Sequence, residues 1–148
     1  MIVGCTDSRV PPELVFDQGI GQIAVIRSAA EALDDLGLGS VEGAIADTGA
    51  NLIYVLGHTD CESIAMARTA FATNDGNAPG HQQNVVDILG PADDLTKGKS
   101  VDDMAREQVR QTVATLRNDP TLAALQKKGL RVVGGFYHQR SGLATIIT

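Results

Sequence analysis

Leu52-Ile53-Tyr54-Val55-Leu56-Gly57-His58-Thr59-Asp60-Cys61 starts as a short apolar run and ends on a histidine and a cysteine. A second run of the same kind, Ile2-Val3-Gly4, leads into Cys5-Thr6-Asp7-Ser8-Arg9. Read as parallel strands of one sheet, the two runs place their C-terminal ends side by side, which is where open α/β sheets carry their sites. The only two cysteines of the chain, Cys5 and Cys61, then converge with His58, one of its three histidines. Two thiolates and an imidazole suit a borderline-soft tetrahedral metal, and three protein ligands with one position left over is the catalytic zinc pattern rather than the closed structural one.

Outward from these runs the chain reads as strand, loop, strand, helix, strand, helices, strand. Ile23 to Ile26 is a further apolar strand ending at Arg27. Ser40 is the expected N-cap of a crossover helix from Val41 to about Ala50. Cys61 opens a helix to about Ala72, with Ile64, Ala67, Ala70 and Phe71 near helical spacing. Thr73 to Gln83, with Gly76, Pro79 and Gly80, reads as a mobile loop. Ser100 and Asp103 form a capping box ahead of an apolar stripe through Met104, Ala105, Val109, Val113 and Leu116. Asp119-Pro120 starts a shorter helix that Gly129 closes. Leu130 to Tyr137 and Leu143 to Ile147 read as a hairpin around Gln139-Arg140-Ser141-Gly142, making the last strand an antiparallel edge. The expected fold is therefore α/β over residues 1–148 as one domain: a mostly parallel four-stranded sheet plus a C-terminal antiparallel edge strand, with helices on both faces. Gly19 and Gly21 do not make a phosphate loop, because the third glycine and the following helix are missing.

Composition narrows the function classes without choosing among them. The 148 residues, 43% hydrophobic, are enough for one real core. Twelve basic against 18 acidic residues give a net charge of -6, and no stretch concentrates Lys and Arg, which argues against nucleic-acid binding. No apolar run approaches the ~20 residues that span a bilayer, and Met1 leads into a strand with no basic n-region, so no membrane association and a cytoplasmic location are expected. Two cysteines around a histidine fit metal binding in a reducing compartment better than a disulfide framework.

Cys5-x-Asp7-x-Arg9 followed by Gly57-His58-x-x-Cys61 resembles the β-class carbonic anhydrases. Val10-Pro11-Pro12-Glu13, Phe16-Asp17-Gln18-Gly19, Ser40-Val41-Glu42 and Val132-Val133-Gly134-Gly135-Phe136-Tyr137 extend the similarity over nearly the whole chain. The resemblance implies zinc-dependent reversible hydration of carbon dioxide to bicarbonate and a proton, with one Zn2+ per chain on Cys5, His58 and Cys61 and with Asp7 paired to Arg9 as the catalytic residues. Held by Arg9, the Asp7 carboxylate accepts a hydrogen bond from the nucleophile; released, it can swing onto zinc as a conditional fourth ligand. A homodimer or a dimer of dimers is implied. The family normally has helical residues before its first strand, which this chain lacks ahead of Ile2.

Two departures from the family pattern bear on activity. Where the family has Ala-Gly-Asn after the second strand, the chain has Ala29-Ala30-Glu31, and the glycine usual after His-x-x-Cys is Glu62. With Asp60, Glu62 adds two carboxylates close to the metal, and extra negative charge there is expected to oppose an anionic product; alternatively Glu62 points from a helix N-terminus into solvent, where its charge is favourable. Two other readings therefore stand beside the hydratase: a zinc-binding member with little or no hydratase activity, serving as a structural or regulatory subunit, and a zinc hydrolase of carbon disulfide or carbonyl sulfide. His81, in the expected loop, and His138 are candidate proton shuttles weighed against ordinary surface histidines. Gln18 is weighed between a turn role and substrate contact.

Overall fold

The computed structural model describes residues 1–148. Five strands form one sheet: β1 (Ile2–Cys5), β2 (Val25–Ser28), β3 (Leu52–His58), β4 (Arg131–His138) and β5 (Leu143–Ile146), in spatial order β2-β1-β3-β4-β5. The first four are parallel and β5 is antiparallel to β4, as the sequence suggested. From β1 the chain crosses one way to β2 and the other way to β3, so the β1/β3 boundary is the topological switch point of the sheet, the place where open α/β folds leave a crevice. In register, Gly4 of β1 lies between Arg27 and Leu56, and His58 at the end of β3 pairs with Tyr137.

Six helices accompany the sheet: α1 (Pro12–Val15), α2 (Asp35–Thr48), α3 (Glu62–Thr73), α4 (Gln82–Leu95), α5 (Val101–Asn118) and α6 (Pro120–Gln126). Their packing is unequal. Val3, Ile53, Val55 and Val132 meet Val41 and Ile45 of α2, Val109, Val113 and Leu116 of α5 and Leu122 of α6. Toward the C-terminal ends of the strands, Cys5 and Phe136 meet Ile64 and Ala67 of α3, Val86 and Leu89 of α4 and Met104 and Ala105 of α5. The alternate residues Ile2, Tyr54 and Leu56 pack instead against Val10, Val15 and Phe16, around the four-residue α1. The expectation of helices on both faces is thus met on the second face by a single helical turn.

Several boundaries differ from the sequence reading. The crossover helix begins at Asp35 rather than Val41, because the Asp34 carboxylate caps it by accepting the Gly37 N–H at 2.8 Å. Ser40 lies inside that helix, its hydroxyl donating to the Leu36 carbonyl. It ends at Gly49, whose φ of 65° is the left-handed cap glycine tolerates. The strand expected at Ile23 to Ile26 is shifted to Val25–Ser28, since pairing to β1 starts at Ile2 opposite Val25. Helix α4 was not expected; Gly90 and Pro91 within it break the sequence signal, and the segment read as a loop from Thr73 to Gln83 shortens to residues 74–81 between α3 and α4. The hairpin strands each start or stop within one residue of the expected limits. The Ser100–Asp103 capping box and the Asp119 cap with Pro120 at the first position are both present.

Candidate metal centre

Strand ends deliver the three donor side chains. Cys5 is the last residue of β1, His58 the last of β3, and Cys61 the N-cap of α3 three residues on. Asp60, between them, takes a positive φ of 55°, and its N–H is held by the Asp102 carboxylate at the start of α5 at 3.0 Å. This tight turn brings Cys61 back beside Cys5. The two sulfurs lie 3.8 Å apart, both cysteines are free, and the donor atoms of Cys5, His58 and Cys61 all lie within 4.8 Å of one another. All three residues are buried, at 3%, 1% and 2% exposure respectively.

The geometry fits a zinc ion. Two sulfurs each about 2.3 Å from a tetrahedral ion stand about 3.8 Å apart, far beyond a disulfide's roughly 2.05 Å. His58 Nδ1 lies 2.9 Å from the Thr59 carbonyl, which can only accept; a bond between them puts the proton on Nδ1 and leaves the Nε2 lone pair free. That Nε2 is buried and has no hydrogen-bond partner. A buried imidazole nitrogen without a partner is uncommon enough to require an explanation, and a cation is one. The electrostatics agree: the Cys61 S–H bond to Cys5 holds the Cys5 thiol well below the usual range, against the opposing effect of burial, with help from His58 and from the Asp7 and Ala30 N–H groups. The same bond and burial push Cys61 up. Burial works against a charged His58, but its contacts with Cys5 and the Thr59 carbonyl outweigh it and raise its pKa.

Asp7 and Arg9 sit above this group. Arg9 Nε donates to Asp7 Oδ1 at 2.9 Å and Arg9 Nη2 to Asp7 Oδ2 at 2.5 Å, a bidentate pair, and the Arg9 N–H also donates to Oδ1. The Arg9 side chain holds the Asp7 carboxyl down at about 2, against a smaller desolvation effect. Asp7 Oδ2 stands 3.9 Å from His58 Nε2. Arg9 Nη2 also donates to the Asp60 carbonyl at 2.9 Å, tying the loop after β1 to the turn before Cys61. A cleft of about 300 Å³ lined by Cys5, Thr6, Asp7, Ser8, Arg9, Glu62 and Ser63 opens on this side.

Other residues singled out from the sequence fall in different places. Glu62 is exposed at the first position of α3, which favours the solvent reading of its charge, and Asp60 is exposed as well. Glu31 is 1% exposed, and burial, with the nearby Cys5, pushes its carboxyl well above the usual carboxylate range. Ala30 and Glu31 have φ of 54° and 45°, the left-handed region that glycine and asparagine adopt with least strain. His138 lines a neighbouring cleft of about 390 Å³ with Thr59, Asp60, Asp102, Arg140 and Ser141. His81 lines neither cleft. Gln18 folds back onto the Phe16 and Asp17 carbonyls, a turn role.

Sequence reading missed two contributors. Arg27 of β2 donates from Nε to the Cys5 carbonyl at 2.7 Å and from Nη2 to the Asp7 carbonyl at 2.5 Å, so one guanidinium holds the backbone on both sides of the first motif. Gln139, in the hairpin turn, reaches Thr59 and His58. Arg27 was read only as the end of the second strand, without its bonds to Cys5 and Asp7, and nothing in the sequence pointed to Gln139.

Comparison with known proteins places these features. The family model described as carbonic anhydrase matches residues 1–144. Carbonic anhydrase 2 of Mycobacterium tuberculosis strain H37Rv is 36% identical over 155 aligned positions, covering 99% of this chain and 72% of that protein. A carbonic anhydrase of Mycolicibacterium smegmatis is 36% identical over 148 positions, covering 96% of this chain and 71% of its own length. Among solved structures, a tetrameric β-carbonic anhydrase from Sordaria macrospora superposes with a TM-score of 0.84 at 24% identity, covering 99% of this chain and 78% of that one. The β-carbonic anhydrase CafA of Aspergillus fumigatus gives 0.85 at 24% identity, covering 99% and 73%. By sequence along its whole length and by fold, the chain belongs to the β-carbonic anhydrase family.

Proposed function

We propose that this protein catalyses the reversible hydration of carbon dioxide to bicarbonate and a proton, with one Zn2+ per chain on Cys5 Sγ, His58 Nε2 and Cys61 Sγ. The observation that carries the reading is the partnerless, buried His58 Nε2 beside two free thiols 3.8 Å apart at the switch point of the sheet. Zinc, when bound, supplies the Lewis acidity that makes water a nucleophile near neutral pH.

The chain's own residues do the rest. Asp7, anionic far below neutral pH because of Arg9, has only acceptor oxygens, and it orients the attacking water by accepting its hydrogen. Arg9 fixes that carboxylate bidentately and bridges to the Asp60 carbonyl, while Arg27 holds the Cys5 and Asp7 backbone, so ligand and acceptor move together. Asp7 is also the conditional fourth ligand, because only Arg9 keeps its Oδ2 from the metal side, 3.9 Å from Nε2. The cleft beside Ser8 and Glu62 is the opening through which substrate and proton would exchange with solvent.

A member with little hydratase activity is the second reading, favoured by the buried Glu31, whose carboxyl is pushed up by burial and by the nearby Cys5. Stopped-flow carbon dioxide hydration on zinc-loaded protein, run beside sulfide release from carbon disulfide and carbonyl sulfide, tests all three readings. Turnover of carbon dioxide alone supports the hydratase; sulfide release without hydration supports the hydrolase; neither, with zinc bound, supports the inactive member.

The protein acts as a homodimer or dimer of dimers in this proposal. Leu14, Ile20, Leu143 and Ile146 are large apolar side chains left exposed, and β5 leaves the outer edge of the sheet unpaired. Light scattering at micromolar concentration giving a monomer mass would contradict it. No helix is long and apolar enough to cross a membrane; a cytoplasmic location is proposed with it, tested by cell fractionation.

A further inference from the structure

We propose that Gln139 is a positioning residue of the metal centre, holding His58 in the tautomer whose Nε2 faces Cys5 and Cys61. The proposal rests on the zinc reading above and adds to it what selects the ligating nitrogen. An imidazole offers two nitrogens, and a metal takes the one without a proton, so whatever fixes the proton on Nδ1 prepares Nε2 as the ligand. Here that acceptor is the Thr59 carbonyl, 2.9 Å from Nδ1.

Thr59 lies just past the end of β3, where a carbonyl is free to turn unless something holds it. Its N–H continues the ladder to the Tyr137 carbonyl at 3.0 Å. Its remaining groups are held by Gln139: the Gln139 N–H donates to Thr59 Oγ1 at 3.2 Å and the side-chain Nε2 donates to the Thr59 carbonyl at 2.5 Å. Because that carbonyl can only accept, the nitrogen end of the carboxamide must face it; the same nitrogen stands 3.1 Å from His58 Nδ1, a hydrogen bond only to a bare Nδ1, so the proposed tautomer is carried by the Thr59 carbonyl and not by this contact. The two lone pairs of one carbonyl thus take hydrogens from Nδ1 and from Gln139 together. Gln139 sits in the turn between β4 and β5, so the hairpin reaches across to set the state of a side chain 81 residues earlier.

The opposite arrangement is chemically complete and gives the test its edge: Gln139 could donate to a bare Nδ1, leaving Nε2–H pointed at the sulfurs. A long-range 1H–15N correlation spectrum of metal-free, reduced protein at alkaline pH, where the ring is neutral, reads the tautomer without any substitution. The expected spectrum has His58 protonated at Nδ1; protonation at Nε2 overturns the proposal. In Gln139→Met, which keeps length and loses both polar atoms, the two tautomers should mix and zinc affinity, measured by competition with a chromophoric chelator, should fall about 10- to 100-fold. A Gln139→Met protein that stays in the Nδ1–H state and holds zinc as tightly as the parent would also overturn it. Should the parent bind no zinc, the metal reading fails while the spectrum of the metal-free protein still decides the tautomer.

Discussion

The three donor residues and the Asp7–Arg9 pair stand a few ångströms apart and are held in opposite ways. Cys5, His58 and Cys61 are core residues: each is fixed by a strand end or helix start and packed to 3% exposure or less. The pair lies on the loop after β1, with the Arg9 side chain 46% exposed, and owes its geometry to its own hydrogen bonds and to Arg27. A donor set built into the core is preorganised for the ion. The Asp7 side chain is only 10% exposed, but its partner Arg9 reaches into solvent, so the pair can open on that side. Metal retention and turnover should therefore be separable by mutation, and the following experiments test that division.

Replacing a buried donor should have the largest effect. His58→Ala or Cys61→Ala should lose zinc on dialysis and reduce carbon dioxide hydration to the uncatalysed rate, measured by elemental analysis and stopped flow. Retained zinc with activity in either variant would mean that the donors are other residues.

Asp7→Asn comes next. Its zinc content should match the parent, since the buried donors are untouched, while turnover falls by about 10²- to 10⁴-fold, the range for positioned proton-handling groups. A variant that loses zinc as well would erase the distinction between core donors and surface pair.

Gly57→Ala probes the core side by stability. A Cβ there would meet Val109 Cγ2 and Glu31 Oε1, both in close-packed surroundings, so chemical denaturation should show a loss of about 1–3 kcal/mol. An unchanged midpoint would show the wall behind His58 to be loose.

The smallest effect belongs to the pair and is seen in acid. The Asp7 carboxyl is at about 2 in the folded protein, below the roughly 3.9 of an unfolded chain. Its contribution to stability is therefore complete above about pH 4 and lost as pH falls toward 2. Asp7→Asn should lack that part of the acid dependence, so the gap between its stability and the parent's should narrow over this window. A constant gap would mean that Arg9 does not hold the carboxylate in solution.

How much could be read from the sequence follows the same division. Cys5, His58 and Cys61 were legible because each follows an apolar run, and a strand's end is fixed by local patterning. The Asp7–Arg9 pairing was legible because it is two residues long. Arg27 and Gln139 were not, since their partners lie 22 and 81 residues away and depend on strand order and hairpin placement. Helix α4 was hidden by Gly90 and Pro91, residues that weaken helical propensity while tertiary packing of Val86 and Leu89 supports the helix. Glu31 was visible as an unusual acid, but the upward shift of its carboxyl comes from burial that no local pattern reveals.

The central claim is that one buried three-residue site both holds the metal and carries the hydration. It is tested most directly by titrating metal-free protein with zinc while measuring stopped-flow carbon dioxide hydration. The account expects activity to rise in proportion to added zinc and to stop rising at one equivalent per chain. Protein carrying one tightly bound zinc per chain that hydrates carbon dioxide no faster than buffer would contradict it.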